Sequence, residues 1–356
     1  MKIHSKIKDY SVDMIEDLLN KKEEVFSGIK YGRLFYFVDA DVYKIYEEEL
    51  KHFIADDFCL VIEAEETKKE YANLVNYYKA LIDNRFTRND ILVTIGGGIL
   101  QDISGFIAST LYRGIRWIFF PTTLLAQADS CIGSKTSINF GDSKNLIGSF
   151  YPPDRILIDT SFNETLTDEY FNSGLGEIIK FHLMSDDDGY KLLQKYLESP
   201  DLRHGDIFKD IIWSTLKIKK SYFSEDEFDA GRRNLLNYGH CFGHALESAS
   251  NFEVCHGEAV LVGMGFANLL SLKRGIMTAE KYNEFEETIR KYYPQFDISK
   301  IDVKDVIYYL KRDKKRVGKD LAMILSGDIG KQYKFDDIKE KEIIETYNNF
   351  VKTYKK

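Results

Sequence analysis

The stretch Ile91–Asp102, ILVTIGGGILQD, decides the fold. Ile91 to Ile95 form an unbroken run of apolar and β-branched residues that ends in Gly96-Gly97-Gly98. A helix-forming pattern carrying Asp102 follows at once. Such a short, continuous apolar run reads as a strand buried on both faces. A glycine turn from that strand into a helix lets backbone N–H groups approach a pyrophosphate at the positive helix end. Glycine suits the turn because a Cβ would block the approach. The turn sits at the carboxyl end of its strand, where open α/β sheets bind ligands. It is not a G-x-G-x-x-G fingerprint, and a tight turn without a ligand is the competing reading.

Working outward, the same texture repeats through the first half of the chain. Arg33–Val38, Phe58–Glu63, Arg116–Phe120 and Arg155–Asp159 are further apolar runs of strand length. Helix-length patterns such as Thr67–Asn84 and Leu100–Tyr112 lie between strands. Apolar strands alternating with helices predict a doubly wound, mostly parallel α/β sheet. After about Leu166 strand-like runs nearly vanish. Helical patterns take over at Asp168–Leu183, Gly189–Tyr196, Ile207–Phe223, Leu235–Ser250, Gly257–Arg274 and Thr278–Tyr293. The expected organisation is an α/β domain over 1–167 and an all-α domain over 168–356. Ala322–Leu325 is expected to form a short hairpin or edge strand.

Composition narrows the function classes. The chain has 356 residues, 49 basic and 57 acidic, and a formal charge of −8. That balance opposes nucleic-acid binding, yet a local cationic pocket for an anionic small molecule is compatible with it. Four scattered cysteines form no CxxC pair, which suits a reducing compartment. The N-terminus MKIHSKIKDYS lacks a signal-peptide apolar region. The most apolar stretch, Trp117–Ala128, is too short to span a bilayer. The expectation is a soluble cytoplasmic protein with no membrane partner.

Three of the seven histidines, His240, His244 and His256, crowd into one short window. His240 and His244 are spaced i, i+4 in GHCFGHA and share a helix face. His256 follows after a loop, in CHGEA. Two histidines plus a carboxylate, with coordination positions left open, make a common catalytic zinc shell. An HExxH peptidase helix is the rival reading, but Cys241 stands where that motif carries its glutamate. Ordinary core histidines are the plain alternative.

Two polar clusters accompany the histidines. Ala128–Phe150, rich in Gly, Ser, Asn and Lys, lies between two strands and reads as a functional loop. Its Lys135, Lys144 and Asn145 suit phosphate or carboxylate binding. Lys219, Arg232, Arg233 and Asn237 form a second group just before the histidine helix. A solvated surface is the alternative for both.

From about residue 30 to about residue 330 the chain resembles the 3-dehydroquinate synthase family, within the sugar phosphate cyclases. The motifs are GGGILQDISGF, YRGIRWIFFPTTLLAQADSCIGSKTSIN, KNLIGSFYPP, GLGEIIK, LLNYGHCFGHALE, HGEAVLVGM and DKK. The resemblance implies an N-terminal NAD-binding domain and a helical C-terminal domain. It implies Zn2+ or Co2+ held by Glu177, His240 and His256, and NAD at Asp39, Glu66, Lys69, Gly97, Gly98, Asp102, Thr122, Thr123, Lys144, Thr165 and Leu166. Asp129 and Lys180 would contact a substrate hydroxyl, with Lys135, Lys144 and Asn145 lining the site. Lys219 and Arg233 would bind a substrate carboxylate. Asn237, His244 and Lys315 would bind its phosphate, with Arg113 reaching in from the other subunit of a homodimer. Asp129, Lys135, Lys180 and His244 form the expected catalytic group. Four positions depart from the family pattern: Asp229, on the substrate side, for Glu, Gln101 for the Gly before Asp102, Ser134 for the Gly before Lys135, and Glu65 for the Gly before Glu66.

The implied reaction converts 3-deoxy-D-arabino-heptulosonate 7-phosphate, a phosphorylated sugar acid, to 3-dehydroquinate and phosphate. This is a step of the shikimate route to aromatic amino acids, with NAD recycled. Lys219 and Arg233 favour a carboxylated substrate over other heptulose or hexose phosphates. A metal-dependent polyol dehydrogenase and a non-catalytic sensor of NAD or sugar phosphate are the other readings.

Overall fold

The computed structural model describes residues 1–141, 143–199, 201–312 and 321–354. The chain divides into two compact units. The first comprises Met1–Thr167, Arg203–Ile212 and Lys219–Phe228; the second comprises Asp168–Leu202, Trp213–Ile218 and Asp229–Lys356. The long helix Asp206–Glu225 thus contributes residues to both.

The strands of the first unit are β1 (Lys2–Ile3), β2 (Tyr10–Met14), β3 (Leu34–Asp39), β4 (Phe58–Ile62), β5 (Ile91–Gly96), β6 (Arg116–Pro121), β7 (Lys135–Phe140), β8 (Ser143–Phe150) and β9 (Arg155–Ile158). Seven of them form one sheet in the order β1-β2-β9-β6-β5-β3-β4. Every neighbouring pair in it is parallel except the antiparallel edge pair β1–β2. The five expected strands all appear, each within a residue or so of its expected ends. Along β5 every residue is buried, which accounts for its unbroken apolar sequence. Tyr36, Val38, Val93, Ile95, Ile118, Phe120 and Leu157 pack in one core cluster. Their neighbours Phe35, Phe37, Leu92, Trp117, Phe119 and Ile156 are buried as well.

The chain passes from β3 out to the edge strand β4, then crosses back to β5 on the other side of β3. The topological switch point of the sheet therefore lies between β3 and β5. In doubly wound sheets the ligand crevice opens at the carboxyl ends of such a pair. Asp39 ends β3 and Gly96 ends β5.

The segment expected to be a loop contains the antiparallel hairpin β7–β8. The helix expected from Thr67 begins at Leu74, after two short 3-10 turns, Glu66–Lys69 and Tyr71–Asn73.

The second unit is built around the helix His256–Lys273, most of whose residues are buried. The helices Asp168–Leu183, His240–Ala249, Ala279–Ile289 and Glu340–Tyr354 pack on it. Phe242 stacks on Phe266 with ring centroids 4.1 Å apart. This unit is not wholly helical: β10 (Leu321–Asp328) and β11 (Lys331–Ile338) form an antiparallel hairpin. Among the described residues no helix is long and apolar enough to cross a membrane.

Candidate active site

In the first unit the glycine turn is shaped by close neighbours. A Cβ on Gly97 would stand 3.0 Å from Thr123 Cγ2, and one on Gly96 would stand 3.2 Å from Asp39 Cβ. Thr122 N–H donates to the Gly96 carbonyl at 3.0 Å. The turn thus gathers Asp39, Gly97, Gly98, Thr122 and Thr123. Asp39 caps the next helix by accepting from Asp41 N–H at 2.9 Å, and burial raises its pKa. Lys69, itself buried, donates to Asp102 at 2.9 Å and to Asn145 Oδ1 at 2.7 Å. Burial pushes the Asp102 carboxyl up to about 6 although Lys69 opposes the rise. Glu66 accepts from Asn139 Nδ2 at 2.8 Å, on the hairpin that carries Asn145. Thr165 pairs with the Tyr46 hydroxyl at 3.0 Å, and the Leu166 carbonyl accepts from Arg203 at 2.6 Å.

Asp129 lies in a single π-helical turn, Ala126–Ser130, an irregularity often found at functional sites. Lys219 Nζ meets Asp129 Oδ1 at 2.7 Å and the Asp129 carbonyl at 2.6 Å. Two residues expected to touch different parts of the substrate are therefore an ion pair. Gln101, a departure from the family pattern, has a defined role. Its Nε2 donates to the Ser130 carbonyl at 2.6 Å, and Ser130 Oγ donates back to Gln101 Oε1 at 2.6 Å. Ser134 sits at φ 63, in the left-handed region, which explains why glycine is usual there. Lys135 and Lys144 are exposed on the hairpin. Arg113 is exposed at φ 65.

In the second unit glycines set the geometry. A Cβ on Gly176 would lie 2.3 Å from the Gly257 carbonyl oxygen, and one on Gly257 only 1.7 Å from that of Ser173. The helices Asp168–Leu183 and His256–Lys273 thus cross backbone to backbone, and His256 arrives beside Glu177. Gly239 (φ 78) and Gly243 make similar approaches to Val260 and Ala259, bringing in His240 and His244. The imidazole centroids of His240 lie 5.3 Å from those of both His244 and His256. One ligand nitrogen from each of the three falls within 4.8 Å of the others.

Glu177 is completely buried, and its Oε1 stands 3.5 Å from Nε2 of both His240 and His256. That oxygen has no hydrogen-bond partner among the described residues. Lys180, one helical turn on and also buried, ion-pairs with Oε2. Burial raises the Glu177 carboxyl, but Lys180 and His256 overcome it and hold it at about 2. Burial, then Lys180 and the other two histidines, lower His240 well below the ordinary value, so its ring offers a lone pair near neutral pH. His240 Nδ1 meets the Tyr238 carbonyl at 3.2 Å, which leaves Nε2 directed at Glu177. A buried anionic oxygen facing two imidazole nitrogens is the donor chemistry of a zinc-type cation. These residues fit such an ion.

The substrate-side residues are distributed as follows. Arg233 is buried in the 3-10 turn Arg232–Asn237, and Asn237 Nδ2 donates to the Asn234 carbonyl at 2.7 Å. Asp229 has φ 58, a conformation that Asp tolerates better than Glu, which gives its departure from the family pattern a backbone reason. Lys315 lies outside the described residues. Glu247, which the sequence reading missed, meets His256 Nδ1 at 3.3 Å. Its only signal in sequence is helical spacing, one and two turns beyond His244 and His240.

Comparison with known proteins agrees with this architecture. The model of the 3-dehydroquinate synthase N-terminal region matches residues 59–173, and that of the C-terminal region matches residues 174–316. The chain belongs to the 3-dehydroquinate synthase family. The 3-dehydroquinate synthase of Dictyoglomus thermophilum is 34% identical over 346 residues, covering 97% of this chain and 96% of that protein. That of Clostridium acetobutylicum is 35% identical over 339 residues, covering 94% and 93%. Among solved structures, the 2-epi-5-epi-valiolone synthase ValA of Streptomyces hygroscopicus subsp. jinggangensis, with NAD+ and Zn2+ bound, has a TM-score of 0.88 at 26% identity over 98% of this chain and 99% of its own. A 2-deoxy-scyllo-inosose synthase complexed with carbaglucose-6-phosphate, NAD+ and Co2+ shares the fold, with a TM-score of 0.86 at 23% identity over 98% and 99%.

Proposed function

We propose that this enzyme converts 3-deoxy-D-arabino-heptulosonate 7-phosphate to 3-dehydroquinate and phosphate. On this reading it is a NAD- and metal-dependent carbon–oxygen lyase, acting as a cytoplasmic homodimer in the shikimate route. The observation that carries the reading is Glu177, a buried carboxylate facing two imidazoles with Lys180 against it, in a chain matched along its length to 3-dehydroquinate synthases.

Glu177, His240 and His256 would hold Zn2+ or Co2+, which when bound supplies a Lewis acid that polarises a substrate hydroxyl. Asp39, Glu66, Lys69, Asp102, Thr122, Thr123, Lys144, Thr165 and Leu166, with the glycine turn, would hold NAD, which when bound would supply the reversible redox equivalent. The chain itself contributes charge and orientation. Lys180 keeps Glu177 anionic and presents an ammonium where a hydroxyl proton is given up. Asp129 orients Lys219 Nζ through two short contacts, and the substrate carboxylate is assigned to Lys219 and to Arg233. His244, Asn237, Lys315 and Arg113 take the phosphate, with Lys135, Lys144, Asn145 and Asp229 completing the polar lining. Carboxylate recognition separates this substrate from other sugar phosphates, because cations desolvated for a carboxylate lose that partner when it is absent.

Product analysis tests the proposal. The purified protein, with NAD and Zn2+, is offered the heptulosonate phosphate, sedoheptulose 7-phosphate and glucose 6-phosphate in parallel. Phosphate release and a carbocycle from the first alone, with no net NADH absorbance, are expected. Turnover of a substrate lacking the carboxylate would point to another sugar phosphate cyclase. Stoichiometric NADH would point to a polyol dehydrogenase.

A further inference from the structure

His256 is held between two carboxylates, one on each ring nitrogen. Nε2 faces Glu177 Oε1 at 3.5 Å, and Nδ1 faces Glu247 Oε2 at 3.3 Å. Glu247 is mostly buried, with 16% of its side chain exposed. It projects from the helix His240–Ala249, the same helix that supplies His240 and His244. One rigid element therefore carries two imidazoles of the cluster and the group that grips the third.

A neutral imidazole has one N–H and one lone pair, and the partner of the N–H decides which nitrogen is left to bind a metal. We propose that Glu247 is a positioning residue: it accepts from Nδ1–H of His256 and thereby fixes the tautomer and ring angle that present the Nε2 lone pair beside Glu177. Carboxylate–histidine–metal arrangements of this kind raise ligand basicity and orient the ring, and their loss weakens metal binding by roughly 10- to 100-fold. The proposal rests on reading Glu177, His240 and His256 as a metal shell. It adds a residue that would never touch the ion or the substrate.

The test uses the zinc-loaded full-length protein and reads zinc itself. Equilibrium competition with a chromophoric chelator gives the affinity for wild type, Glu247→Ala, Glu247→Gln and His256→Ala. The expected result is a loss of roughly 10- to 100-fold for Glu247→Ala. Glu247→Gln, which keeps an acceptor oxygen, should fall between Glu247→Ala and wild type. Glu247→Gln also serves if the alanine variant fails to fold, and far-UV circular dichroism reports that. Zinc affinity unchanged in both Glu247 variants while His256→Ala releases the metal would overturn the positioning role and leave the metal shell standing. Absence of zinc binding in the wild type, or undiminished binding in His256→Ala, would overturn both readings.

Discussion

Gly257→Ala tests whether backbone contact between two helices is what delivers His256 to Glu177. The added Cβ would stand 1.7 Å from the Ser173 carbonyl oxygen and 2.6 Å from its carbon, whereas real Cβ atoms essentially never come closer than 3.0 Å. The obstacle is backbone, so no side chain can swing aside. The helices must part locally by about 1.3 Å, well beyond the roughly 0.2 Å tolerance of metal–ligand distances. Overpacking of this severity costs about 3 kcal/mol, the upper end of the usual range. The better helix propensity of alanine returns at most about 1 kcal/mol. The net loss of about 2 kcal/mol corresponds to a fall in the melting transition of roughly 4–8 °C for a unit of this size. Calorimetry would read the melt, and elemental analysis after gel filtration would read zinc per chain. A variant that melts within about 2 °C of wild type and keeps its full zinc content would show that the crossing does not set the site.

Arg233→Ala should raise KM for the carboxylated substrate by roughly 10- to 100-fold, the loss of one charge-assisted contact; an unchanged KM in steady-state kinetics would remove Arg233 from carboxylate binding. Ser134→Gly should stabilise the protein by about 0.5–1 kcal/mol, the left-handed penalty less the extra chain entropy of glycine, because it relieves a left-handed backbone at φ 63 and deletes a buried hydroxyl with no hydrogen-bond partner among the described residues; a lowered melting temperature would contradict this. Burial pushes the Glu286 carboxyl up from 4.5 to about 7, so the folded state holds a proton that the unfolded chain has released. Stability from this group is full below pH 4.5 and lost as pH rises through about 7. Glu286→Gln should therefore melt above wild type at pH 8, by an upper bound of about 3 kcal/mol, and the gap should close at pH 4; a gap that does not vary with pH would refute it.

The sequence disclosed those parts of the molecule where one physical signal dominates. Strands β3, β5 and β6 are buried on both faces, so their apolar runs could hardly be anything else. The glycines of GHCFGHA and HGEA stand in the same motifs as the histidines, and the structure uses them for helix–helix contact. The hairpin β7–β8 was illegible because its Lys, Ser and Asn residues give a polar run; β7 nonetheless buries Thr136, Ile138 and Asn139. Strand β2, YSVDM, mixes buried Tyr10 and Val12 with half-exposed polar residues, too short a pattern to stand out. The Lys219–Asp129 pair joins residues distant in the chain, and no local periodicity encodes such a contact. Glu247 had the right helical spacing, but only the placement of the next helix gives that spacing a meaning. The left-handed backbone at Ser134 and Asp229 likewise became visible only in three dimensions.

The reciprocal bridge between Gln101 and Ser130 has a mechanical consequence. Gln101 stands in the first turn of the helix that begins at Gly98, and Ser130 is bonded covalently to Asp129. Two hydrogen bonds fix one to the other, so the glycine turn, the irregular turn that carries Asp129 and, through it, Lys219 move as a single lever. A chain with glycine at that position has a hinge where this one has a strut. Any tilt of the helix at its glycine end is passed through these two bonds to the turn that carries Asp129.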